Sequence, residues 1–493
     1  MSMWNQQVHS CKSHSLILIL YQYVSGQADL FSLTVTDPAT GETVSSRIAN
    51  AGQSDLDKAV AVAEAASRAD SPWSMMSAMQ RSQIIWKAAE LIEEEAHMLS
   101  LLESKSFGRP YSLHRAIDIK VAADNLRYFS GWCDKIPGDY QLRDEGVIRY
   151  VRREPLGVVA AIMAWNGPIS SVGMKLGPAL AAGNCIILKP SEKTPLGTLY
   201  LGRVFAKAGF PPGVIQVLTG DGTLGSLMAH HERIRKISFT GSVGTGKKIQ
   251  EAAAKTNLKR VTLELGGKSP IIVFKDANLG NAAFWAAAAI ASNSGQYCVA
   301  GSRVYVHRDV VDEFRALYYA KLAEMSKGKG VPSDEQTTYG TVADKLQYDR
   351  ILSMIEQGKR EATVGFGNPT GNGKGLFISP VVFENPSETA RVYKEEIFGP
   401  VAVMKVFSSD EEVVKMANDS EFGLMASVFT ADVDRAARMT EVLEAGTVCV
   451  NTSMALSHRA PFGGKKQSGY GSEGGLESVL AYTQVKTVIQ LVS

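Results

Sequence analysis

Cys298 stands in NSGQYCVAGSR, residues 293–303, where small and polar residues follow the alanine-rich run NAAFWAAAAIAS. A free thiol, with a pKa of about 8.5, is only a few per cent thiolate at neutral pH, yet it is intrinsically a strong nucleophile. To act on a carbonyl it needs a base and a donor for the developing oxyanion. The stretch VTLELGGKSP offers Glu264, an acid in an otherwise apolar run that ends in two glycines. A buried carboxyl without a partner costs free energy, and that cost is how general bases are tuned. MAWNGP offers Asn166, whose amide can donate to an oxyanion. Singly, each residue also has a plain structural explanation: Cys298 as core, Asn166 as a turn residue, Glu264 as an acid pairing with a helix. The three amount to chemistry only if the fold brings them together.

The elements that would position them alternate along the chain. SDLDKAVAVAEAASRA, with Ser54 as a candidate N-cap, and QRSQIIWKAAELIEEEAHMLSLLES carry helical apolar stripes. Short β-branched runs follow: GVVAAIMAW, NCIILKP, VIQVLTG, KISFTGS and SPIIVF. They predict a parallel, doubly wound α/β sheet. A further series from SRVYVHRDVVDEF to GTVCVN predicts a second α/β domain after about residue 267.

Such a sheet is the usual home of a nicotinamide dinucleotide, and GDGTLG, with Gly220, Gly222 and Gly225, matches the glycine fingerprint. That fingerprint wants an acid about 20 residues on, at the end of the next strand, and KISFTGS has none, so a loop-to-helix turn is the better reading. FTGSVGTGKKIQEAAA runs strand, glycine turn, helix, and places Gly241, Ser242 and Gly246 where backbone N–H groups could hold a pyrophosphate. In KPSEKTP, Lys189 and Glu192 close a strand within reach of a ribose. A carboxylate there bonds the hydroxyls and repels a 2′-phosphate, which favours NAD over NADP.

Bulk properties agree with small-molecule chemistry. The 493 residues, 45% hydrophobic and 21% charged, suffice for one large or two to three ordinary domains, and a net charge of +2 without a basic stripe offers nothing to nucleic acid or an anionic membrane. Five cysteines at wide spacing, without a CxxC pair or a Cys/His cluster, predict free thiols in a reducing compartment and no metal site. SHSLILILYQY is too short to span a bilayer, which takes about 20 apolar residues, and is read as a strand. Residues 1–14 are read as a loose arm.

Taken together, MAWNGP, KPSEKTP, FTGSVGTG, LELGGKSP, GQYCVAGSR, EEIFGPV and PFGGKKQSG closely resemble the aldehyde dehydrogenase superfamily, in its NAD(P)-dependent hydrolytic branch. They occur in that family's order and spacing, from about residue 35 to near 490, over nine-tenths of the chain. Residues 1–34 match its usual opening hairpin poorly. The resemblance implies an α/β architecture with a Rossmann-type NAD-binding domain (15–135 and 155–267), an α/β catalytic domain (268–479) and a small β oligomerisation flap (136–154 and 480–493). It implies a cytoplasmic homodimer or homotetramer. It also carries the cofactor, NAD with NADP as the alternative, onto Gly241, Ser242, Gly246, Lys189 and Glu192, with Trp165, Glu396 and Phe398 at the nicotinamide end.

The resemblance further implies that Cys298 adds to an aldehyde, that Asn166 and the Cys298 backbone N–H hold the oxyanion, and that Glu264 activates water against the resulting thioester. Lys175 and Glu473 match the proton-relay positions behind Glu264. The aldehyde tunnel would be lined by Gly167, Met174, Tyr297, Val299, Leu456 and Phe462. With glycine, methionine and leucine where aromatic rings are common, the cage that holds a quaternary ammonium is largely absent, so apolar aldehydes of medium-chain, branched or aromatic type are expected. Two alternatives stand beside this. A coenzyme A acylating member generally lacks the glutamate found here as Glu264. A catalytically silent structural protein on the same scaffold need not retain Cys298, Asn166, Glu264 and Glu396 together.

Overall fold

In the computed structural model, residues 32–367 and 375–492 are described. The strand expected over SHSLILILYQY and the arm expected over residues 1–14 lie outside them. The first β-branched runs form a six-stranded sheet in the order Gly469–Tyr470, Arg260–Glu264, Lys236–Thr240, Val158–Ile162, Cys185–Lys189, Ile215–Val217. All neighbours are parallel except the first pair, in which Gly469 lies antiparallel to Glu264. Val158–Ile162 and Cys185–Lys189 are buried at every position, which is why they read as continuous apolar runs rather than alternating ones. Strand order reverses direction between Val158–Ile162 and Lys236–Thr240. Ligands of open α/β sheets bind at the carboxyl ends on either side of such a switch point, and the loops leaving these two strands carry Met163–Asn166 and Gly241–Ser242.

A seven-stranded sheet runs Thr363–Phe366, Val381–Glu384, Val401–Phe407, Arg303–His307, Pro270–Val273, Met425–Phe429, Thr447–Val450, with only its first pair antiparallel. The short strand Gly469–Tyr470 joins the first sheet although its sequence follows all the strands of the second. A three-stranded antiparallel sheet of Asp139–Asp144, Val147–Pro155 and Thr483–Leu491 stands apart, with Leu142 82% and Leu491 80% exposed.

Two helices deliver the chemistry. Pro168–Ala181 starts with proline at its first turn, where the missing N–H is not needed, and turns Lys175 into the interior. Leu279–Ala291 is capped by Asn278, whose side chain accepts from the Asn281 N–H at 3.0 Å. Its small alanines lie buried against the second sheet.

Candidate active site

Beyond Ala291 the chain leaves the helix through Asn293, Ser294 and Gly295, all left-handed with φ of 53°, 51° and 70°. Such geometry costs free energy in non-glycine residues and persists only where the surroundings impose it. Gln296 imposes it here. Fully buried, it donates from Nε2 to the Asn293 carbonyl (2.9 Å) and the Thr341 carbonyl (3.2 Å), and accepts from the Ala343 N–H at 2.9 Å. Two residues on, Cys298 reaches the site with solvent access only through a cleft. The glycine pair of LELGGKSP permits this approach: a Cβ on Gly267 would lie 2.3 Å from the Cys298 carbonyl oxygen, and one on Gly266 would lie 2.3 Å from Glu396 Oε2. Burial, reinforced by the negative charges of Glu396 and Glu264, pushes the Cys298 thiol up to about 12, well above the value for a free thiol.

Glu264 ends strand Arg260–Glu264 at 3% exposure, and neither carboxyl oxygen has a hydrogen-bond partner within the protein. Burial first, and the charge of Glu473 next, raise its carboxyl well above the usual range; Lys175 opposes them. Behind it lies a closed polar network. Lys175 Nζ donates to Glu473 and, at 2.9 Å, to Ser238 Oγ, whose hydroxyl in turn reaches Glu473. Lys236, two residues before Ser238 on the same strand, donates to Thr262, and burial beside Lys175 lowers its ammonium to about 7. Ser238 and Lys236 escaped the sequence reading; their only signal was polarity at alternate positions of a buried strand.

Asn166 donates from Nδ2 to the Gln296 carbonyl at 3.0 Å, while Asn293 Nδ2 donates to the Asn166 carbonyl at 3.3 Å. The backbone of Gln296, whose side chain pins the loop, is thus tied to the Asn166 amide, and an amide nitrogen has a second proton to give. Gln296 and Asn293 were also missed, although NSG followed by a buried glutamine is a turn signal in hindsight.

The cleft that leads to Cys298 holds about 510 Å³. Trp165, Asn166, Lys189, Glu192, Gly241, Ser242, Glu396 and Phe398 line it, and so do Gly222 and Gly225. The glycine run set aside above as a plain turn therefore faces the cleft at the start of helix Gly222–His230, opposite Ser242 at the start of Val243–Lys255. Gly246 lies one layer below, where a Cβ would lie 2.9 Å from the Leu265 side chain. Lys189 is not a surface residue: it is 3% exposed, donates to the Pro190 carbonyl and stands 3.7 Å from Glu192. Glu396 Oε1 accepts from the Gly267 N–H at 2.9 Å, and burial holds its carboxyl at about 7 despite that bond and the cations Arg350 and Lys268. Phe398 adopts φ 58° and meets Trp165 edge-on at 5.2 Å. Two helix N-termini, open space above Gly222 and a carboxylate at either end suit an anionic dinucleotide.

Among the expected tunnel residues, Val299 and Phe462 pack with Leu424, Met425 and Cys449, and Tyr297, Cys298 and Met454 lie against them. Gly167 and Met174 are half-buried on the Asn166 side, and Leu456 is 48% exposed.

Fold and site together define an α/β protein with a cleft that runs between two helix N-termini to a cysteine thiol. The model of the aldehyde dehydrogenase family matches residues 23–488. Aldehyde dehydrogenase, cytosolic 1, of Rattus norvegicus is 44% identical over 463 residues, 93% of this chain and 91% of that protein. Retinaldehyde dehydrogenase 3 of Homo sapiens is 44% identical over 456 residues, 92% and 88% of the two chains. The crystal structure of PnpE in complex with nicotinamide adenine dinucleotide, at 41% identity, superposes with a TM-score of 0.90 over 94% of both chains. The chain belongs to the aldehyde dehydrogenase family. It is an oxidoreductase acting on the aldehyde group with NAD as cofactor.

Proposed function

We propose that this aldehyde dehydrogenase oxidises apolar aldehydes, medium-chain, branched or aromatic, to carboxylic acids through a thiohemiacetal and a thioester on Cys298 Sγ. The observation that carries this is the placement of the Cys298 thiol beside an unpartnered buried carboxyl, Glu264, and against the apolar group of Val299, Phe462 and Met454. The carboxyl and the thiol are both raised, so Glu264 can receive the thiol proton as sulfur adds to the carbonyl carbon. The free Asn166 proton and the Cys298 backbone N–H then hold the oxyanion; removing one such donor typically lowers rate by about 10²–10³. NAD, when bound along Gly222, Gly225, Gly241, Ser242, Lys189, Glu192 and Glu396, supplies the oxidant by accepting a hydride. Glu264 gives the thiol proton up to Lys175 and Glu473, paired behind it, which pass it on. With the acyl group on Cys298, Glu264 then takes a proton from water, the hydroxide adds, and the departing thiolate is reprotonated.

The relative named for retinaldehyde supports a bulky apolar substrate. The same reading includes a homo-oligomer built on the three-stranded sheet, with Leu142, Ile489 and Leu491 exposed, and a cytoplasmic setting. Among the described residues no helix is long and apolar enough to cross a membrane. The test is a substrate panel. Each buried methylene contributes about 0.8 kcal/mol, so kcat/KM should rise from two-carbon to eight-carbon aldehydes. A profile that falls with length, or peaks at betaine aldehyde, overturns the apolar reading.

A further inference from the structure

Four ionisable side chains lie buried together behind the nucleophile, and the chemistry above uses none of them. Glu103 is fully buried, Arg109 2%, His114 1% and Asp118 4% exposed. Arg109 Nη1 reaches both Asp118 oxygens, at 3.0 Å and 2.9 Å, and His114 Nδ1 lies 2.7 Å from Asp118 Oδ2. His114–Asp118 is a single π-turn between helical segments, a local widening that recurs at functional sites. Burial and the neighbouring Asp118 raise the Glu103 carboxyl well above the usual range, and burial lowers the His114 imidazole. The Arg109 guanidinium faces the Asp118 carboxylate directly. Removing such a pair from water does little for stability alone, since well-packed apolar side chains would serve as well or better.

The group connects to the reactive residues by three routes. The Arg109 guanidinium lies over the Tyr297 ring, 5.5 Å from its centre, and Tyr297 directly precedes Cys298. His114 meets Phe107 edge-on at 5.9 Å and Phe107 meets Trp165 at 5.7 Å, and Trp165 directly precedes Asn166. The Gly108 carbonyl accepts from the Thr341 N–H at 3.0 Å, and Thr341 and Gly340 accept from Gln296 and Ser294 of the nucleophile's loop.

We propose that Arg109, held by Asp118 and His114, is a positioning residue that clamps Tyr297 and thereby sets how the Cys298 thiol faces the Asn166 amide. The inference rests on the reading of Cys298 as nucleophile and goes beyond it by assigning a role to a guanidinium that touches neither substrate nor cofactor.

Arg109→Lys tests it, because lysine keeps a cation opposite Asp118 but has no flat face to lay on the tyrosine. With NAD and hexanal, kcat should fall roughly 10- to 100-fold, as displacements of about 1 Å at reacting groups do, while KM for NAD stays within about twofold. Alkylation of Cys298 by iodoacetamide, which needs no turnover, should quicken several-fold as the loop loosens. Tyr297→Leu should quicken alkylation to the same degree, and the double variant should be no faster than the quicker single one, the sign of a shared interaction. Parental kcat and alkylation rate in Arg109→Lys, or effects that multiply in the double variant, overturn the proposal. If Arg109→Lys does not fold, the uncharged pair Arg109→Gln with Asp118→Asn replaces it: slower kcat with faster alkylation supports the clamp, and parental values of both overturn it. Hexanal left unoxidised by the parent enzyme, with alkylation still responding as described, would count against the substrate reading and support the clamp.

Discussion

Glu264 and Glu396 flank the same thiol, both are carboxyls withdrawn from bulk water, and the protein equips them differently. Glu396 sits on a loop held by Gln347 and Arg350, which donate to the Phe398 and Glu396 carbonyls, and its own Oε1 accepts the Gly267 amide. With Arg350 and Lys268 also nearby, burial lifts its carboxyl only to about 7. Glu264 sits at the rigid end of a sheet strand with no donor to either oxygen and with Glu473 beyond it, so its carboxyl is raised further. Glu264, at 3% exposure, is the more deeply buried and has no donor, whereas half-buried Glu396 has one: a satisfied carboxylate suits holding a ligand's hydroxyls, and an unsatisfied one suits taking a proton. Each negative charge also raises Cys298, after burial, so a proton moving from the thiol to Glu264 exchanges one buried charge for another.

The hardest test of this contrast removes the group both glutamates surround. Cys298→Ala should bind NAD with unchanged affinity by fluorescence titration and produce no NADH from any aldehyde; turnover near the parental rate would break the scheme outright. Next comes Glu264→Gln, which should release NADH at most once per site, more slowly than the parent, and then stall, hydrolysis slowing by about 10²–10⁴, with an acyl adduct on Cys298 visible by mass spectrometry. If Glu396→Gln gave the same stalled adduct and Glu264→Gln did not, the two roles would be reversed.

A smaller effect separates the neighbouring glycines. Gly266→Ala presses on the Glu396 carboxylate, a movable side-chain end, and should raise KM for NAD several-fold with the protein still folded. Gly267→Ala presses on the Cys298 backbone and should lower kcat more than it alters KM. Steady-state kinetics of the pair would show whether the two walls can be disturbed independently.

The smallest effect is on stability. A carboxyl raised in the folded state binds its proton more tightly there than in the unfolded chain, so its contribution is fullest near or below the ordinary carboxyl value and is lost as pH rises through the folded value. For Glu396 that window runs from about 4.5 to about 7. For Glu264, whose carboxyl burial also raises, the sign is the same. Between pH 5 and pH 8 the cofactor-free parent should lose more melting temperature than Glu264→Gln does, by a few degrees, and more than Glu396→Gln by less. Parallel melting curves for all three proteins would remove the distinction.

Much was legible in the chain. The continuous apolar strands, the glycine turns after them, and the placement of Cys298, Asn166 and Glu264 at strand or helix ends all follow from local rules, because strand and turn preferences act within a few residues. The ordered motifs also pointed to residues that line the cleft. GDGTLG is the loop-to-helix turn the missing acid pointed to, with Asp221 capping helix Gly222–His230, but local pattern could not show that Gly222 and Gly225 line the cleft. Sequence also offered no means of seeing that Gln296 couples the nucleophile's loop to Asn166, or that Arg109 would lie over Tyr297, since these pairs are far apart in the chain and meet only once two sheets and their helices are assembled.

The residue types, then, were determined by the sequence alone: a thiol, a carboxyl, an amide and two glycine-led helix starts, each with its intrinsic chemistry. Their working state was decided by tertiary structure. Whether Glu264 has a donor, how far burial lifts Cys298, and which carboxyl holds while the other reacts depend on which groups are packed within a few ångströms, and desolvation and Coulomb forces act through that arrangement rather than along the chain.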